Sequence, residues 1–97
     1  DLVYLAEYAG IVHCLDANTG KSYWTYDSFS RIWGSTLVVD GKVLLGNEDG
    51  DLLVMDHGKS KPKVKTVGMG APVYSSPVFV NGTLYVATQT HLYAIGK

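Results

Sequence analysis

The fold is decided by residues 33–56, which read WGSTLVVDGKVLLGNEDGDLLVMD. Two dipeptides, Asp40-Gly41 and Asp49-Gly50, separate three apolar runs. Asp-Gly between aliphatic residues is a strong local signal for a β-hairpin, because the tightest turns need positive φ at both central residues. The stretch therefore predicts three antiparallel strands in a meander, at Leu37–Val39, Val43–Leu45 and Leu52–Met55.

The same pattern recurs along the chain at an interval of about forty residues. A shift of forty places residues 2–16 on 42–56, and a shift of forty-one places 33–46 on 74–87. A period near forty residues with four short strands is the signature of one β-propeller blade. Strand alternation and eleven glycines exclude a helical solenoid of similar period.

The repeat divides the chain into three blades, and the fold class is an all-β propeller segment of about two and a half four-stranded blades. Residues 1–32 form a blade that lacks its first strand, 33–73 a complete blade, and 74–97 a blade that lacks its last strand. The strand pattern is thus 3+4+3. Further strands are expected at Leu2–Ala6, Ile11–Leu15, Ser22–Tyr26, Pro62–Val67, Pro77–Val80, Thr83–Thr88 and Leu92–Ile95, and the chain crosses between blades at Phe29–Arg31 and Gly68–Gly70.

Composition excludes several functional classes. The chain has 97 residues, of which 46% are hydrophobic and 18% charged, and its net charge is −1. A nucleic-acid surface needs clustered excess cations, which this balance does not supply. No apolar run is long enough to span a membrane, and the 97 residues contain no pattern of a secretory leader, which leaves open a leader that has been removed or that lies on a longer parent chain. Cys14 is the single cysteine, so no disulfide forms within the chain, and its place in the repeat is that of a small buried apolar residue.

A family resemblance is carried by residues 14–24, CLDANTGKSYW. This segment resembles the tryptophan-docking motif of the pyrroloquinoline-quinone repeat, a β-propeller repeat found mainly in bacteria. The matching residues are Asp16, Thr19, Gly20, Lys21 and Trp24, and Cys14 stands where the motif usually has alanine. Residues 43–56 and 74–77 resemble the core and the strand opener of the same repeat. The repeat is shared by quinone-dependent alcohol dehydrogenases and by cofactor-free scaffolds of the BamB type.

The resemblance implies a structural docking motif made of Asp16, Thr19, Gly20 and Trp24. In the family the tryptophan lies across to the neighbouring blade, where an indole buries about 150–250 Å² and finds a partner for its N–H. Two other aromatic residues, Trp33 and Tyr74, head the innermost strands. Packing between blades near the propeller axis is the simplest role for them, and stacking of a ligand in the central funnel is the alternative.

No catalytic, cofactor-binding or metal-binding residues are predicted. Gly20-Lys21-Ser22 and Gly58-Lys59-Ser60 lack the earlier glycine of a phosphate-binding loop. The loop at Asn47–Asp51 lacks the ligand spacing of a calcium site, and the three histidines have no zinc-site spacing. Family enzymes collect quinone and calcium ligands from many blades and use an adjacent-cysteine disulfide, which a single cysteine cannot form. No cofactor is therefore expected.

The one charge run is Lys59, Lys61, Lys63 and Lys65, interrupted by Pro62. Lysine and proline on an outermost strand block edge-to-edge pairing of sheets, and this is the preferred interpretation. Binding of an acidic partner is the alternative.

A propeller blade is apolar on both faces, so the two terminal blades expose faces that need cover. We expect the partners to be the rest of a larger propeller or other copies of this chain, with a further protein partner possible and neither nucleic acid nor a membrane span involved. The predicted function is a non-catalytic protein-interaction or structural scaffold, not an enzyme, and we expect the chain to be the C-terminal part of a larger propeller or a self-assembling fragment. The alternatives are a fragment of a quinone-dependent dehydrogenase and a small-ligand or carbohydrate site in the funnel. The resemblance implies a periplasmic or cell-envelope location.

Overall fold

The structure, a computed structural model, describes residues 2–96 and folds them into three antiparallel β-sheets. The strands are β1 (Leu2–Ala6), β2 (Ile11–Asp16), β3 (Ser22–Asp27), β4 (Leu37–Val39), β5 (Lys42–Gly46), β6 (Asp51–Asp56), β7 (Lys65–Gly68), β8 (Val78–Val80), β9 (Thr83–Ala87) and β10 (Leu92–Gly96). The predicted all-β class and the strand pattern 3+4+3 are confirmed. Among the described residues no helix is long and apolar enough to cross a lipid bilayer.

Each sheet is a simple meander in which consecutive strands pair. Sheet 1 is β1-β2-β3, sheet 2 is β4-β5-β6-β7, and sheet 3 is β8-β9-β10. The register matches the repeat, since Tyr4 pairs with Cys14 in sheet 1 as Leu44 pairs with Val54 in sheet 2. The forty-residue period is therefore a period of structure, with one sheet for each repeat.

The hairpin turns follow the sequence signals with one exception. Asp40 and Gly41 have φ of 50° and 73°, so both central residues are left-handed, as an Asp-Gly turn requires. At Asp49-Gly50 only Gly50 has positive φ, so the expectation of two positive angles was wrong there. That turn is longer: Asp51 N–H donates to Oδ1 of Asn47 at 3.0 Å, and Gly50 N–H donates to the Asn47 carbonyl at 3.3 Å.

The outermost strand of sheet 2 is shorter and later than the sequence suggested. Strand β7 covers Lys65–Gly68, and its pairing with β6 runs from Asp51 opposite Gly68 to Val54 opposite Lys65. The predicted start at Pro62 was wrong. Proline has no N–H to give to the ladder, and the flanking residues 61–64 stay outside the sheet.

The two ends of the sheets carry different connections. One end, here called the crossing end, has the hairpin turns β1–β2, β5–β6 and β9–β10 together with the connections 28–36 and 69–77 that lead from sheet to sheet. The opposite end, here called the turn end, has Asp40-Gly41, Asn81-Gly82 and the connections 17–21 and 57–64. Backbone hydrogen bonds tie the crossing connections to the hairpins on both sides, as when Ser28 N–H donates to the Gly10 carbonyl and Glu48 N–H to the Arg31 carbonyl.

The core consists of two layers, one on each face of sheet 2. Leu45 and Leu53 pack with Val12, Cys14 and Trp24 of sheet 1. On the other face Leu52 packs with Val73 and Val86 on the side of sheet 3. Successive residues of a strand point to opposite faces of the sheet. Both faces of sheet 2 are buried, so its strands are continuous apolar runs, whereas sheets 1 and 3 are covered on one face only.

Near the innermost strands the two crossing connections touch. A β-carbon on Gly34 would lie 2.7 Å from the carbonyl carbon and oxygen of Ser75, so only glycine allows this approach. Ser35 N–H donates to Oγ of Ser76 at 2.7 Å beside it. In the first crossing connection Phe29 has φ of 57° and is 87% exposed. The equivalent residue of the second crossing connection is Gly70.

Candidate functional site

The turn between β2 and β3 is organised by the carboxylate of Asp16. Oδ1 accepts the backbone N–H groups of Asn18 at 2.7 Å and Thr19 at 3.1 Å. Oδ2 accepts the hydroxyl of Tyr23 at 2.9 Å. These donors, the Asn18 N–H above all, hold the pKa of Asp16 below its usual range, because they stabilise the ionised form.

The rest of the motif completes the same turn. Lys21 N–H donates to Oγ1 of Thr19 at 3.2 Å, and Gly20 takes φ of 77°. Strand β3 then starts at Ser22 and places Trp24 opposite Cys14 on the face towards sheet 2. The four residues Asp16, Thr19, Gly20 and Trp24 thus lie on one turn and the strand that follows it.

Trp24 reaches the neighbouring sheet through the backbone of Gly58. Its indole Nε1–H donates to the Gly58 carbonyl at 3.0 Å, and the Gly58 N–H donates to the Tyr4 hydroxyl at 2.8 Å. The same hydroxyl lies 2.7 Å from Nδ1 of His57. Both polar groups of Gly58 are therefore bound by aromatic side chains of sheet 1.

Two ionisable groups beside this contact are perturbed by burial. Burial raises the pKa of Cys14, which is fully buried with Sγ 3.5 Å from the Gly58 carbonyl. Burial also raises the pKa of the Tyr4 hydroxyl. A raised pKa favours the protonated form of each group, and burial of a protonated thiol is typical of a structural cysteine.

Sequence reasoning missed Tyr4 and Gly58 as partners of Trp24. In the repeat, Tyr4 of sheet 1 corresponds to Leu44 of sheet 2, and Gly58 corresponds to Asn18. Neither counterpart is of the same residue type, so the repeat does not indicate the contact between Tyr4 and Gly58. Sheet 2 has Lys65 opposite Val54, where sheet 1 has Trp24 opposite Cys14. A cavity of about 180 Å³, lined in part by Leu44, lies between sheet 2 and sheet 3.

Trp33 and Tyr74 lie together at the crossing end. Their ring centroids are 5.9 Å apart and their planes meet at 87°. Tyr8, from the β1–β2 hairpin, adds a third ring 4.7 Å from Trp33 at 89°. We call Tyr8, Trp33 and Tyr74 the aromatic row; its members are 50%, 51% and 40% exposed.

A hollow of about 380 Å³ is lined by Trp33 and Tyr74. The guanidinium of Arg31 lies 5.4 Å from the centroid of Tyr8. Sequence reasoning singled out Trp33 and Tyr74 but not Tyr8 or Arg31. Those two lie on a hairpin turn and a crossing connection, and only the fold brings them to the row.

The described residues hold no group of three or more His, Cys, Asp or Glu side chains placed to bind a metal ion. Side chains of residues 2–96 form two ion pairs, Glu7 with His13 and Lys42 with Asp56. The hydrogen bond and charge of Lys42 lower the pKa of Asp56. The aromatic row and the contact of Trp24 with Gly58 are therefore the two candidate functional features of the described residues.

The whole chain, residues 1–97, matches a family model described as outer membrane protein assembly factor BamB. Among curated proteins it is similar to the quinoprotein alcohol dehydrogenase PedH of Pseudomonas putida, with 26% identity over 83 residues. That alignment covers 84% of this chain and 14% of the dehydrogenase.

Similar solved structures include a BamB protein, a second alcohol dehydrogenase and a designed protein. BamB from Moraxella catarrhalis superposes with a TM-score of 0.77 and 28% identity, over 98% of this chain and 30% of that one. The quinohemoprotein alcohol dehydrogenase ADHIIG from Pseudomonas putida HK5 gives 0.76 and 24% identity, over 90% of this chain and 15% of that one. The computationally designed Ika4 protein gives 0.75 and 18% identity, over 98% of this chain and 61% of the designed one. The chain thus spans less than a third of the length of its natural relatives, and the last two likenesses bear on the fold alone.

Proposed function

The chain belongs to the family of the outer membrane protein assembly factor BamB, and we propose that it forms part of a larger β-propeller that acts as a non-catalytic protein-binding scaffold in the bacterial cell envelope. In this proposal its blades are residues 1–32, 33–73 and 74–97. The neighbours that complete the ring are further blades of the same protein or other copies of the chain.

The observation that carries the proposal is the contrast between sheet 2 and the sheets beside it. Leu45 and Leu53 of sheet 2 are 0% and 1% exposed. On the outward face of sheet 1, Leu5 is 52% exposed, and on that of sheet 3, Leu92 is 69% exposed. Blades that bury their apolar faces only against each other need neighbours on both sides.

The docking motif supports the same assembly. We propose that Asp16, Thr19 and Gly20 fix the turn that aims Trp24 at the next blade. Its hydrogen bond to the Gly58 carbonyl is a contact between blades and not with a ligand. Trp33 and Tyr74 are proposed to face the central funnel, where their half-exposed rings remain open to a partner.

The competing function is a fragment of a quinone-dependent dehydrogenase, the class of enzyme to which the similar protein PedH belongs. Two measurements on the full-length protein separate the functions. Purified protein is supplied with pyrroloquinoline quinone and Ca²⁺ and assayed for alcohol-dependent dye reduction. In parallel its gene is deleted, and the amounts of β-barrel proteins in the outer membrane are measured.

A scaffold in outer-membrane assembly predicts no quinone-dependent dye reduction and a loss of outer-membrane β-barrel proteins that the intact gene restores. Alcohol oxidation that requires quinone and Ca²⁺ would overturn the scaffold proposal. Unchanged outer-membrane protein levels in the deletion strain would overturn the assembly role.

A further inference from the structure

The aromatic row has an arrangement that core packing alone does not require. Tyr8, Trp33 and Tyr74 meet edge to face across neighbouring repeats, and each ring is about half exposed. Edge-to-face contacts hold the rings in place while leaving ring surface open to solvent. The hollow of about 380 Å³ beside Trp33 and Tyr74 provides space for a chain segment against that surface.

The hydroxyl and indole N–H groups of the aromatic row differ from those of the other hydrogen-bonded aromatic residues. The hydroxyls of Tyr4, Tyr23 and Tyr93 and the indole N–H of Trp24 all have hydrogen-bond partners within the protein. Within residues 2–96 the hydroxyls of Tyr8 and Tyr74 and the indole N–H of Trp33 have none. Three donors therefore point to water or to a ligand that offers acceptors.

Charge at the crossing end is strongly negative. Counted over residues 2–96, it carries five carboxylates and one cation, Arg31, and the carboxylates are Glu7, Asp27, Glu48, Asp49 and Asp51. In the part of the chain that the structure describes, the turn end has the opposite balance, with six lysines and three aspartates: Lys21, Lys42, Lys59, Lys61, Lys63 and Lys65 against Asp16, Asp40 and Asp56. A ligand that approaches the row thus meets a field that favours positive charge.

Two of these carboxylates, Glu48 and Asp49, are available to a ligand. Glu7 is paired with His13, and Asp27 accepts the backbone N–H of Phe29 at 2.9 Å. Glu48 and Asp49, on the β5–β6 hairpin, form no ion pair with another described residue. The backbone of Glu48 is held against the first crossing connection two residues before Trp33, because its N–H donates to the carbonyl of Arg31.

The protein itself shows that the row accepts a cation. The guanidinium of Arg31 lies 5.4 Å from the Tyr8 centroid, within the range of a cation–π interaction. The faces of Trp33 and Tyr74 have no such intramolecular cation among the described residues. A lysine or arginine from outside can take the equivalent position over those rings.

We propose that the aromatic row is the binding site for an extended, basic peptide segment of a protein partner. Lysine or arginine side chains of the partner lie over Trp33 and Tyr74, and its peptide carbonyls accept hydrogen bonds from the free hydroxyls and the Trp33 indole N–H. Glu48 and Asp49 supply the long-range attraction. This inference rests on the proposed scaffold function, from which it takes only that the partner is a protein.

The test measures fluorescence anisotropy of a fluorescein-labelled peptide of alternating arginine and glycine, titrated with the full-length protein. We expect saturable binding that weakens as salt is added, and no binding of the matched peptide of alternating glutamate and glycine. Trp33→Leu and Tyr74→Leu should each weaken binding by about tenfold. Glu48→Gln combined with Asp49→Asn should weaken it several-fold and flatten its salt dependence.

The matched control is Phe29→Ser, which removes an exposed aromatic residue from the crossing end outside the row. It should leave the affinity unchanged. Equal binding by wild type, Trp33→Leu and Tyr74→Leu would overturn the proposal, as would equal binding of the arginine and glutamate peptides. Binding of maltohexaose at the row without binding of the arginine peptide would also overturn it and identify a carbohydrate site. Because the deletion strain tests the scaffold function without this peptide, the two proposals can fail separately.

Discussion

Gly58 shows how single residues join two sheets of this fold. Its carbonyl accepts from Trp24 and its N–H donates to Tyr4, so one peptide unit is bound twice by aromatic side chains of the preceding sheet. A hydrogen bond inside an apolar seam matters mainly because its loss leaves a buried polar group without a partner. The Gly58 contact therefore helps to fix how sheet 1 packs on sheet 2.

Trp24→Phe tests this contact. The ring stays aromatic, but the Gly58 carbonyl loses its donor and part of the packing volume is removed. We expect a loss of about 1–3 kcal/mol in the free energy of unfolding, measured by urea denaturation. The control Trp33→Phe changes a half-exposed indole without a hydrogen bond to another described residue, and it should cost less than about 0.5 kcal/mol. Equal effects of the two variants would contradict the role of the Gly58 contact.

Asp16 gives a prediction of pH dependence. Its pKa is lowered in the folded state, so the stabilisation is fully present above the unfolded-state value of about 3.9 and is lost as the pH falls towards the folded-state value. Asp16→Asn should lower Tm at neutral pH and reduce the fall in Tm below about pH 4. Thermal unfolding followed by circular dichroism between neutral and acidic pH measures both effects. A variant with the same acid dependence as wild type would show that the turn does not depend on the carboxylate.

At the scale of elements, the crossing connections determine how closely neighbouring sheets approach. Each connection is hydrogen-bonded to the hairpin before it and the hairpin after it, as when Gln89 N–H donates to the Pro72 carbonyl. The connections also meet each other at Gly34 and Ser75. The sheets are thus joined by backbone contacts at this end as well as by side-chain packing.

Gly34→Ala tests this backbone contact. The new methyl group would lie 2.7 Å from the Ser75 carbonyl and 2.8 Å from Ser76 N, so one connection must move away. We expect the free energy of unfolding to fall by about 1–3 kcal/mol, as for other overpacked sites. Gly68→Ala is the matched control, since no atom lies within 4 Å of its added β-carbon. If both substitutions are neutral in urea denaturation, the close approach of the connections does not stabilise the fold.

Strand β7 shows where element prediction from the sequence fails. Alternating lysines predict an exposed strand over residues 62–67, but the ladder forms only over Lys65–Gly68. All four residues of β7 are exposed, so no burial of one face fixes its start. The length is decided by the partner β6 and by Pro62, which adds no N–H to the ladder.

At the scale of the whole molecule, the two outward faces determine the state of the isolated chain. Val3 and Leu5 on sheet 1 and Val78, Val80 and Leu92 on sheet 3 are each between 45% and 69% exposed. If each face left about 400 Å² of apolar surface uncovered, covering both would contribute roughly 20 kcal/mol, more than the stability of a typical domain. The isolated 97-residue chain should therefore associate with itself.

Sedimentation velocity of the isolated chain tests this expectation. Wild type should sediment faster as concentration rises, and the double variant Leu5→Glu, Leu92→Glu should shift towards the 10.5 kDa monomer. Phe29→Glu changes an exposed residue away from both faces and should sediment as wild type does. A wild-type monomer that binds no hydrophobic dye would contradict the idea that these faces need cover.

Much of the architecture is determined by the sequence alone, because strand alternation and turn chemistry are local. The forty-residue period, the Asp40-Gly41 turn and the apolar runs of sheet 2 are enough to predict three sheets with the strand pattern 3+4+3. The motif around Asp16 is equally local, since its hydrogen bonds join residues within seven positions of each other.

The contacts between repeats were decided only by the tertiary structure. Gly58 lies 34 residues from Trp24, and Tyr8 meets Trp33 only because a hairpin of sheet 1 and the connection that leads into sheet 2 reach the same end. Periodicity predicts which face of a strand is buried, but the side chains that meet across a seam depend on how far apart and at what angle the sheets stack. The chain's local pattern therefore determines its blades, and the packing of one blade on the next determines its sites.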